Sequence, residues 1–254
     1  MMQNSRETSQ ITSQLKSRID TNKKFGSVDL DRWLFEKLSL KKGNNILDVG
    51  CGTGNHLIKL AGMFPEGNYY GIDISDGSVK EAIKNAGQKS LKINFICGDA
   101  SDAASLENNF FDVIISIYAL YYVKDTQKVL SILKTKLKQN GRIAVMSPYK
   151  GNNGEWYSFL SNFMKIPAEV ESVADNFMDK KVLPFAKSNF KSLQKFNFEN
   201  RITIPSYDDL KKYWVSNIYY KEEYNNEFEK HVSEYFRKNR SFVLTKKSLL
   251  AIMG

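Results

Sequence analysis

The stretch "NNILDVGCGTGNH", from Asn44 to His56, places three glycines within five residues directly after an apolar run. Glycine has no Cβ atom and adopts positive φ at little cost, so such a loop lets a ligand come close to the main chain. A helix predicted to begin near Asn55 would point its free N–H groups into the same space, which favours a phosphate or a carboxylate. The stretch therefore predicts a strand, a ligand-binding turn and a helix in succession.

The details of the turn favour an amino-acid tail over a pyrophosphate. The dinucleotide fingerprint is G-x-G-x-x-G, whereas here the third glycine comes one residue early and Asp48 precedes the loop. An acid beside the turn, with no basic residue within it, is unfavourable for a dianion. Asp48 can instead attract an ammonium group while loop N–H groups receive a carboxylate, which suits a zwitterion with a neighbouring cationic centre.

Short apolar runs alternate with amphipathic segments from residue 45 to residue 145, which is typical of a parallel sheet with helical crossovers. Strands are expected at Asn45–Val49, Asn68–Ile72, Lys92–Cys97, Val113–Ser116 and Arg142–Met146. Helices are expected at Asp31–Leu38, Asn55–Met63, Ser78–Gly87 and Thr126–Leu137, with Asn140 and Gly141 as the break before the fifth strand.

The rhythm changes after Pro148, where aromatic residues and lysines mix at helical spacing. Ser206 followed by Asp209 resembles a capping box, so a helix is expected from Tyr207. Two further strands are expected at Lys195–Ile204 and Ser241–Met253.

Acidic residues follow three of the expected strands: Asp48, Asp73 in "YYGIDIS" and Asp99 in "FICGDAS". Because the carboxyl ends of parallel strands converge on one crevice, these acids are expected to line a single pocket. A carboxylate at Asp73 can accept both hydroxyls of a ribose, and one at Asp99 can accept an exocyclic amine of adenine. Ile74 would supply an apolar face for the base.

The motifs "ILDVGCGTGNH", "GIDIS", "CGDAS" and "FDVIISIYALYYVKD", in this order, resemble the class I S-adenosylmethionine-dependent methyltransferases over about residues 30–150. The segment "LKQNGRIAVMSP" looks like the fifth strand of that family. The resemblance implies an α/β fold with a Rossmann-like, mostly parallel seven-stranded sheet and helices on both faces. It also implies an antiparallel last strand beside the fifth, a helical lid inserted after the fifth strand, and S-adenosyl-L-methionine as the cofactor.

The same resemblance assigns roles to residues. Asp48 and the Gly50–Gly54 loop would surround the methionine part, Asp73 would hold the ribose, and Asp99 with Ala100 would meet the adenine. Ser116 with Ile117 would contact the amino-acid end. The expected cofactor site is therefore Asp48, Gly50, Cys51, Gly52, Gly54, Asp73, Ile74, Asp99, Ala100, Ser116 and Ile117, with no metal. His56 is expected to cap or pack the first helical turn, in preference to a catalytic role.

The acceptor is expected at the mouth formed by the fourth and fifth strand ends. Six aromatic residues would gather there, unless about half of them pack the lid: Tyr118, Tyr121, Tyr122, Tyr149, Trp156 and Tyr157. Tyr121 and Tyr122 are the candidates to face the methyl group. The fourth strand carries Ser116-Ile117-Tyr118-Ala119, which is neither an N/D-P-P-Y/F motif nor a Pro-Cys pair. A small-molecule acceptor is therefore favoured, with RNA or protein as the alternative and a nucleotide-binding module without methyl transfer as a further one.

Composition sets the remaining bounds. The chain has 254 residues and a net charge of +9, spread as +2, +4 and +3 over residues 1–30, 31–150 and 151–254, which favours a solvated lysine-rich surface over a nucleic-acid footprint. No membrane span or secretory signal is recognised, so a cytoplasmic protein is expected, with Cys51 and Cys97 as reduced structural thiols at buried strand ends.

Four segments are expected along the chain. Residues 1–30 would form an N-terminal helical or lid segment, and residues 31–150 the cofactor-binding core. A helical lid and acceptor subdomain with a sixth strand would follow over residues 151–240. Residues 241–254 would return as the final strand of the core sheet.

Overall fold

The computed structural model describes residue 14 and residues 16–166, 168–217 and 220–254. Two compact units are formed. The larger unit contains residues 31–149, 173–197 and 248–254, and the smaller unit contains residues 1–30, 150–172 and 198–247. Residues 1–13 and 15 of the expected N-terminal lid lie outside the described residues. The four expected segment boundaries stay a prediction.

The strands are β1 (Asn45–Val49), β2 (Asn68–Asp73), β3 (Asn94–Cys97), β4 (Phe111–Ile117), β5 (Leu137–Pro148), β6 (Leu193–Ile204) and β7 (Phe242–Met253). The helices are α1 (16–25), α2 (Leu30–Leu38), α3 (Asn55–Met63), α4 (Asp76–Gly87), α5 (Thr126–Lys136), α6 (Gly154–Leu160), α7 (Ala168–Phe177), α8 (Leu183–Asn189), α9 (Tyr207–Val215) and α10 (Asn225–Lys238). Short 3₁₀ turns at 100–105, 120–122 and 222–224 and a π-helical turn at 178–182 complete the architecture.

The seven strands form one sheet in the order β3-β2-β1-β4-β5-β7-β6. The pairs β1–β2, β2–β3, β1–β4 and β4–β5 are parallel, and β7 runs antiparallel to β5 with Ile143 opposite Met253. The expected Rossmann-like α/β fold, including the antiparallel last strand beside the fifth, is confirmed. The strand order reverses between β1 and β4, so the crevice of this sheet lies outside the carboxyl ends of those two strands.

Local sequence explains how the helices of the larger unit begin. Ser75 accepts the N–H of Ser78 at the start of α4, and Asp125 accepts the N–H of Lys128 at the start of α5. Such side-chain caps satisfy backbone donors that a helix leaves unpaired at its first turn. The α3 helix follows Gly54 instead and has no side-chain cap.

The core of the larger unit is aliphatic with aromatic edges. Buried residues of β1, β4 and β5 pack with the apolar side of α5, where Val129, Leu130 and Leu133 are at most 2% exposed. The π-helical turn and α8 add Met178, Val182, Phe185 and Ala186 to the same cluster. This packing anchors the strands whose carboxyl ends form the crevice.

The smaller unit has its own, strongly aromatic core. Trp156 is fully buried there, and its ring contacts those of Tyr213, Trp214 and Phe242. The expectation that Trp156 lines an acceptor mouth is therefore wrong, because a side chain with no exposed surface has been used for packing. The expected start of α9 is confirmed: Ser206 Oγ accepts the N–H of Asp209 at 3.2 Å.

Two expectations about local structure need correction. Strand β5 begins at Leu137, before the supposed break, because the chain passes through Asn140 at φ 69° and the pairing register with β4 shifts between Phe111 and Val113. Cys97 is exposed, although Cys51 is buried, and both are free thiols. Among the described residues, no helix is both long enough and apolar enough to cross a bilayer.

Candidate active site

The glycine loop leaves β1 at Val49 with most of its N–H groups already bonded. Gly50 and Cys51 donate to the carbonyl of Ile72, at 2.7 Å and 3.1 Å, and Gly52 donates to the Asp73 carboxylate at 2.8 Å. The N–H of Gly54 closes the turn on the carbonyl of Cys51. The expectation that a carboxylate binds the N–H groups of Gly50, Cys51, Gly52 and Gly54 is therefore wrong, because β2 and the turn itself occupy them, while the N–H of Thr53 has no acceptor among the described residues.

The free donors lie one step further along, at the start of α3. Among the described residues, no acceptor receives the N–H groups of residues 55–57, and the first helical bond is from Ile58 to Gly54. These groups carry the positive end of the helix dipole. The first turn of α3 thus offers free donors to an anionic group.

Each glycine of the loop has a distinct reason for being there. A Cβ at Gly50, where φ is 81°, would lie 2.1 Å from the Cβ of Ala119, and a Cβ at Gly54 would lie 2.9 Å from the Phe95 ring. At Gly52, where φ is 53°, a Cβ would meet no atom within 4 Å. Only Gly52 therefore faces open space, whereas the other two allow neighbouring elements to pack against the loop.

Asp48 is a buried carboxylate without a partner. Its side chain is 1% exposed, and neither oxygen has a hydrogen bond to any described residue. Burial raises the pKa of Asp48 to about 7; the charge of His56 opposes this shift and that of Asp73 adds to it. Buried polar groups in native proteins are nearly always hydrogen-bonded, and an unpaired buried charge is costly. The carboxylate is therefore suited to a cation supplied by a ligand.

Asp73 ends β2 and belongs to the same edge. Besides the Gly52 N–H, its second oxygen accepts the N–H of Ser75 at 2.9 Å. Each oxygen has a further lone pair, so the carboxylate retains acceptor capacity for hydroxyl groups. Asp73 thus orders the loop and remains a candidate ribose ligand.

The expected adenine contacts lie beyond the ends of β2 and β3. Ile74 is 74% exposed, which leaves a bare apolar side chain for a base to cover. The N–H of Gly98 donates to the carbonyl of Asp73, so Asp99 follows on the same edge as the other two acids. Asp99 is exposed and caps the 3₁₀ turn that begins at Ala100, accepting the N–H of Ser101 at 2.9 Å; that bond lowers the pKa of Asp99.

Two expected contacts lie inside the sheet. Ser116 has no exposed surface, and its hydroxyl donates to the carbonyl of Val49 at 2.7 Å. Ile117 is 6% exposed. The side chain of Ser116 thus ties β4 to the end of β1, and its predicted contact with a ligand stays a prediction.

His56 makes an interaction that sequence reasoning did not find. Its Nδ1 lies 2.8 Å from Oδ1 of Asp31 in α2, and Lys59, one turn along α3, binds the other oxygen of that carboxylate. These charges hold the pKa of the buried Asp31 well below its usual range, against the effect of desolvation. His56 therefore does not cap the helix but connects α3 to α2. No local signal links positions 31 and 56.

Tyrosines follow β4 at the crevice. Tyr118 has left-handed backbone, with φ 57°, and its hydroxyl lies 2.8 Å from the Ser248 hydroxyl. A bulky residue in this conformation is strained. In the following 3₁₀ turn the rings of Tyr121 and Tyr122 lie 4.5 Å apart between centroids, and Tyr122 is 71% exposed. Tyr149 hydrogen-bonds Asp179 instead.

Comparison with known proteins assigns the family. The family model described as "Methyltransferase domain" matches residues 40–230, which include every strand from β1 to β6. A match over this share of the chain shows membership of that family.

Individual relatives agree with this assignment. The chain is 29% identical over 152 residues to aklanonic acid methyltransferase DauC of Streptomyces sp. strain C5, covering 58% of this chain and 69% of that protein. It is 32% identical over 144 residues to tRNA U34 carboxymethyltransferase of Alteromonas mediterranea, covering 52% of this chain but 42% of that protein.

A solved structure shows the same fold. The S-adenosylmethionine-dependent methyltransferase of Geobacter sulfurreducens, in complex with S-adenosyl-L-homocysteine, aligns with a TM-score of 0.50 at 19% identity, covering 88% of this chain and 89% of that one. The family match, the strand order and the site at the β1–β4 crevice agree. The chain belongs to the methyltransferase domain family and is a class I, S-adenosylmethionine-dependent methyltransferase domain.

Proposed function

We propose that this domain transfers a methyl group from S-adenosylmethionine to an oxygen, nitrogen or carbon atom of a small-molecule acceptor. The observation that carries the proposal is Asp48, a buried carboxylate without a partner beside a loop whose Gly52 faces open space. A carboxylate in that state lacks a cation, and the amino-acid end of this cofactor carries an ammonium group. The residues present therefore fit the cofactor of the class.

The remaining cofactor contacts follow from the same edge. Asp48 would bind the ammonium group, and the first turn of α3 the carboxylate. Asp73 would accept the ribose hydroxyls, while Ile74 and the Asp99–Ala100 segment would lie against the adenine. When bound, S-adenosylmethionine supplies a methyl group already activated on a sulfonium.

The contribution left to the protein is to align the acceptor with the methyl group. Holding two reactants in attack geometry lowers a barrier by about 7 to 11 kcal/mol, whereas a general base contributes roughly a hundredfold to ten-thousandfold in rate. Transfer to the acceptor is proposed to be an in-line displacement, and it requires no dedicated base. Tyr121 and Tyr122 are proposed to face the reacting methyl group, because they follow β4 at the crevice and Tyr122 is largely exposed. Aromatic faces also favour a neighbouring cation.

A free metabolite is the favoured acceptor for three reasons. The excess of basic side chains is distributed along the chain instead of forming a stripe. Relatives named for small-molecule chemistry, such as the aklanonic acid enzyme, match more than half of this chain. Paired aromatic rings with hydroxyl groups suit a partly apolar molecule.

RNA is the second candidate, because a tRNA-modifying relative matches the chain at similar identity. The salt dependence of binding distinguishes the two acceptor classes. Binding of an RNA would weaken steeply between about 50 and 200 mM salt through counterion release, whereas binding of an uncharged metabolite would not.

The cofactor part is tested by calorimetry with S-adenosyl-L-homocysteine and, separately, NAD. Binding of the former is expected at micromolar concentration. Binding of NAD alone would instead support the alternative of a nucleotide-binding module without methyl transfer and reject the proposal. Mass spectrometry of the purified protein for a retained adenosyl compound is an independent readout.

The acceptor part is tested by incubating the protein with methyl-labelled cofactor and a metabolite extract, and in parallel with tRNA. Labelled small molecules are expected. Label found only in RNA would overturn the favoured acceptor class. Tyr122→Ala should lower turnover at least tenfold with an unchanged Kd for S-adenosyl-L-homocysteine, while the control Met63→Ala, an exposed apolar side chain on α3, should change neither.

A further inference from the structure

His56 lies where two unsatisfied features of the site meet. It is the second residue of α3, inside the stretch 55–57 whose N–H groups are free, and its charge acts on the unpartnered Asp48. Its side chain is 19% exposed, so part of the ring is open to solvent.

The hydrogen bond to Asp31 fixes the orientation of the imidazole. Nδ1–H donates to Asp31 at 2.8 Å, which assigns the other ring nitrogen, Nε2, to the opposite edge of the ring. Among the described residues no hydrogen bond is made to Nε2. The ring is thus held at one nitrogen and available at the other.

We propose that His56 is a specificity-determining contact for the carboxylate of the cofactor's amino-acid end, acting together with Asp48, which binds the ammonium group of the same end. This inference rests on the proposed function, because it assigns the recognition of the cofactor's zwitterionic tail. Two opposite charges, one on β1 and one on α3, would then select an α-amino acid over a neutral tail.

The charges around the ring favour imidazolium. Asp31 faces it from α2, Lys59 from its own helix, and Asp48 from the end of β1. Burial lowers the pKa of His56, but its hydrogen bond to Asp31 and the two carboxylate charges outweigh burial and raise that pKa above its ordinary value. A protonated Nε2–H makes a charge-assisted bond to a carboxylate.

A purely structural role explains less of the arrangement. Lys59 already compensates the Asp31 carboxylate, so a neutral donor at position 56 would satisfy the second oxygen. A side chain that bonds Asp31 and has no second polar atom would also connect α3 to α2 equally well. What a structural role leaves without a purpose is the second ring nitrogen, to which no described residue is bonded, on a residue whose own N–H is one of the free donors of α3.

The test compares two ligands that differ only at the amino-acid end. S-adenosyl-L-homocysteine carries the zwitterion, and 5′-methylthioadenosine has the same adenosine and sulfur without it. His56→Gln should weaken the first by about tenfold to a hundredfold, the loss of one charged hydrogen bond, and leave the second within about twofold. Asp31→Asn should act in the same direction, because it removes the charge that keeps the imidazole protonated.

The control is the only other histidine of the chain, His231, in the smaller unit. His231→Gln should change neither affinity. With two histidines, the imidazole proton resonances can be assigned by these two variants and followed in the wild-type protein. S-adenosyl-L-homocysteine should raise the pKa of His56, and methylthioadenosine should not.

Equal loss of both ligands in His56→Gln, or no loss of either, would overturn the inference. An unchanged His56 titration in wild-type protein saturated with S-adenosyl-L-homocysteine would do so as well, even where a variant fails to fold. Failure of the wild-type protein to bind either ligand is a different result, because it would reject the proposed function itself.

Discussion

The carboxylate of Asp73 accepts the N–H of Gly52 at 2.8 Å, so the acid that ends β2 holds the turn that follows β1. One side chain thereby links two neighbouring strand ends and sets the position of the glycine that faces open space. The acids of this edge are therefore not equivalent: Asp73 is bonded within the protein, whereas Asp48 is not.

Replacement of Asp73 should reveal both roles. Asp73→Ala is expected to weaken S-adenosyl-L-homocysteine binding by about 1 to 3 kcal/mol, because the ribose hydroxyls lose an acceptor and Gly52 loses its anchor. Calorimetry measures the change, and Asp208→Ala, an exposed acid in the first turn of α9, is the control. An affinity equal to that of the wild type would remove Asp73 from the site.

Cofactor binding should depend on pH through Asp48. The carboxylate is half-protonated near pH 7 in the ligand-free protein, and a bound ammonium group requires the ionised form. The affinity for S-adenosyl-L-homocysteine should therefore rise between pH 6 and pH 8. Titration calorimetry across that range, with Asp48→Asn as the comparison, checks this; the variant should bind weakly and lose the rise.

The stability of the ligand-free protein should fall with rising pH, in contrast to the affinity for the cofactor, which should rise. Because the folded-state pKa of Asp48 is raised above its ordinary value of 3.8, the folded state holds its proton more tightly than the unfolded state, and stability falls as pH rises from about 4 to 7. Asp48→Asn should thus raise the free energy of unfolding at pH 8 by roughly 2 to 4 kcal/mol. Urea unfolding at pH 5 and pH 8 measures it, and a variant less stable than wild type at pH 8 would contradict the assignment.

Gly52 and Gly43 provide a matched pair for the loop. Both have positive φ, and a Cβ at either position would meet no atom within 4 Å. Alanine should cost each roughly 1 to 2 kcal/mol of stability through left-handed strain alone. Only Gly52→Ala should also weaken cofactor binding, because its methyl group would occupy the open space of the site; equal affinities in calorimetry would show that the ligand lies elsewhere.

Lys136 is a buried lysine that stabilises the fold, and its Nζ has no acidic partner among the described residues. Its side chain is 4% exposed, and Nζ donates to the carbonyls of Ala104 and Leu106 and to the Asn108 side chain. Lys136→Met would leave three acceptors unsatisfied and should lower the free energy of unfolding by about 2 to 4 kcal/mol. Lys134→Met, on the exposed side of the same helix, should change it by less than about 0.5 kcal/mol in the same urea titration.

Local sequence signals were sufficient to predict the bounds of an element where residues at both of its ends mark them. Asn45–Val49 and Asn55–Met63 have the predicted bounds because glycines separate an apolar run from a helical period. The residue pattern alone predicted a helix up to Leu137 and a break at Asn140 and Gly141, whereas the family resemblance placed the fifth strand over "LKQNGRIAVMSP"; the strand does run from Leu137 to Pro148, held by its pairing with β4. The individual helices α7 and α8 were also not predicted within the expected helical segment 151–240, because the sequence there lacks clear flanking signals.

The candidate site likewise has some features that the sequence could predict and others that it could not. The acids at the ends of β1 and β2 were predictable, because parallel strands bring their carboxyl ends to one edge. The pairing of His56 with Asp31 was not, since it joins two helices 25 positions apart. Nor could the sequence show that the loop N–H groups are occupied by β2, which is a matter of hydrogen-bond geometry.

The contact between Gly50 and Ala119 makes the loop after β1 and the loop after β4 one steric unit. An added methyl at position 50 would overlap the Ala119 methyl, at 2.1 Å, but would lie 3.5 Å from the Cα of that residue, an ordinary contact. The side chains at positions 50 and 119 thus compete for the same space, so a larger side chain at one position requires a smaller one at the other. Replacing Ala119 by glycine would relieve the clash of an alanine at position 50 but not its left-handed strain, so the double variant should be more stable than Gly50→Ala alone and less stable than the wild type.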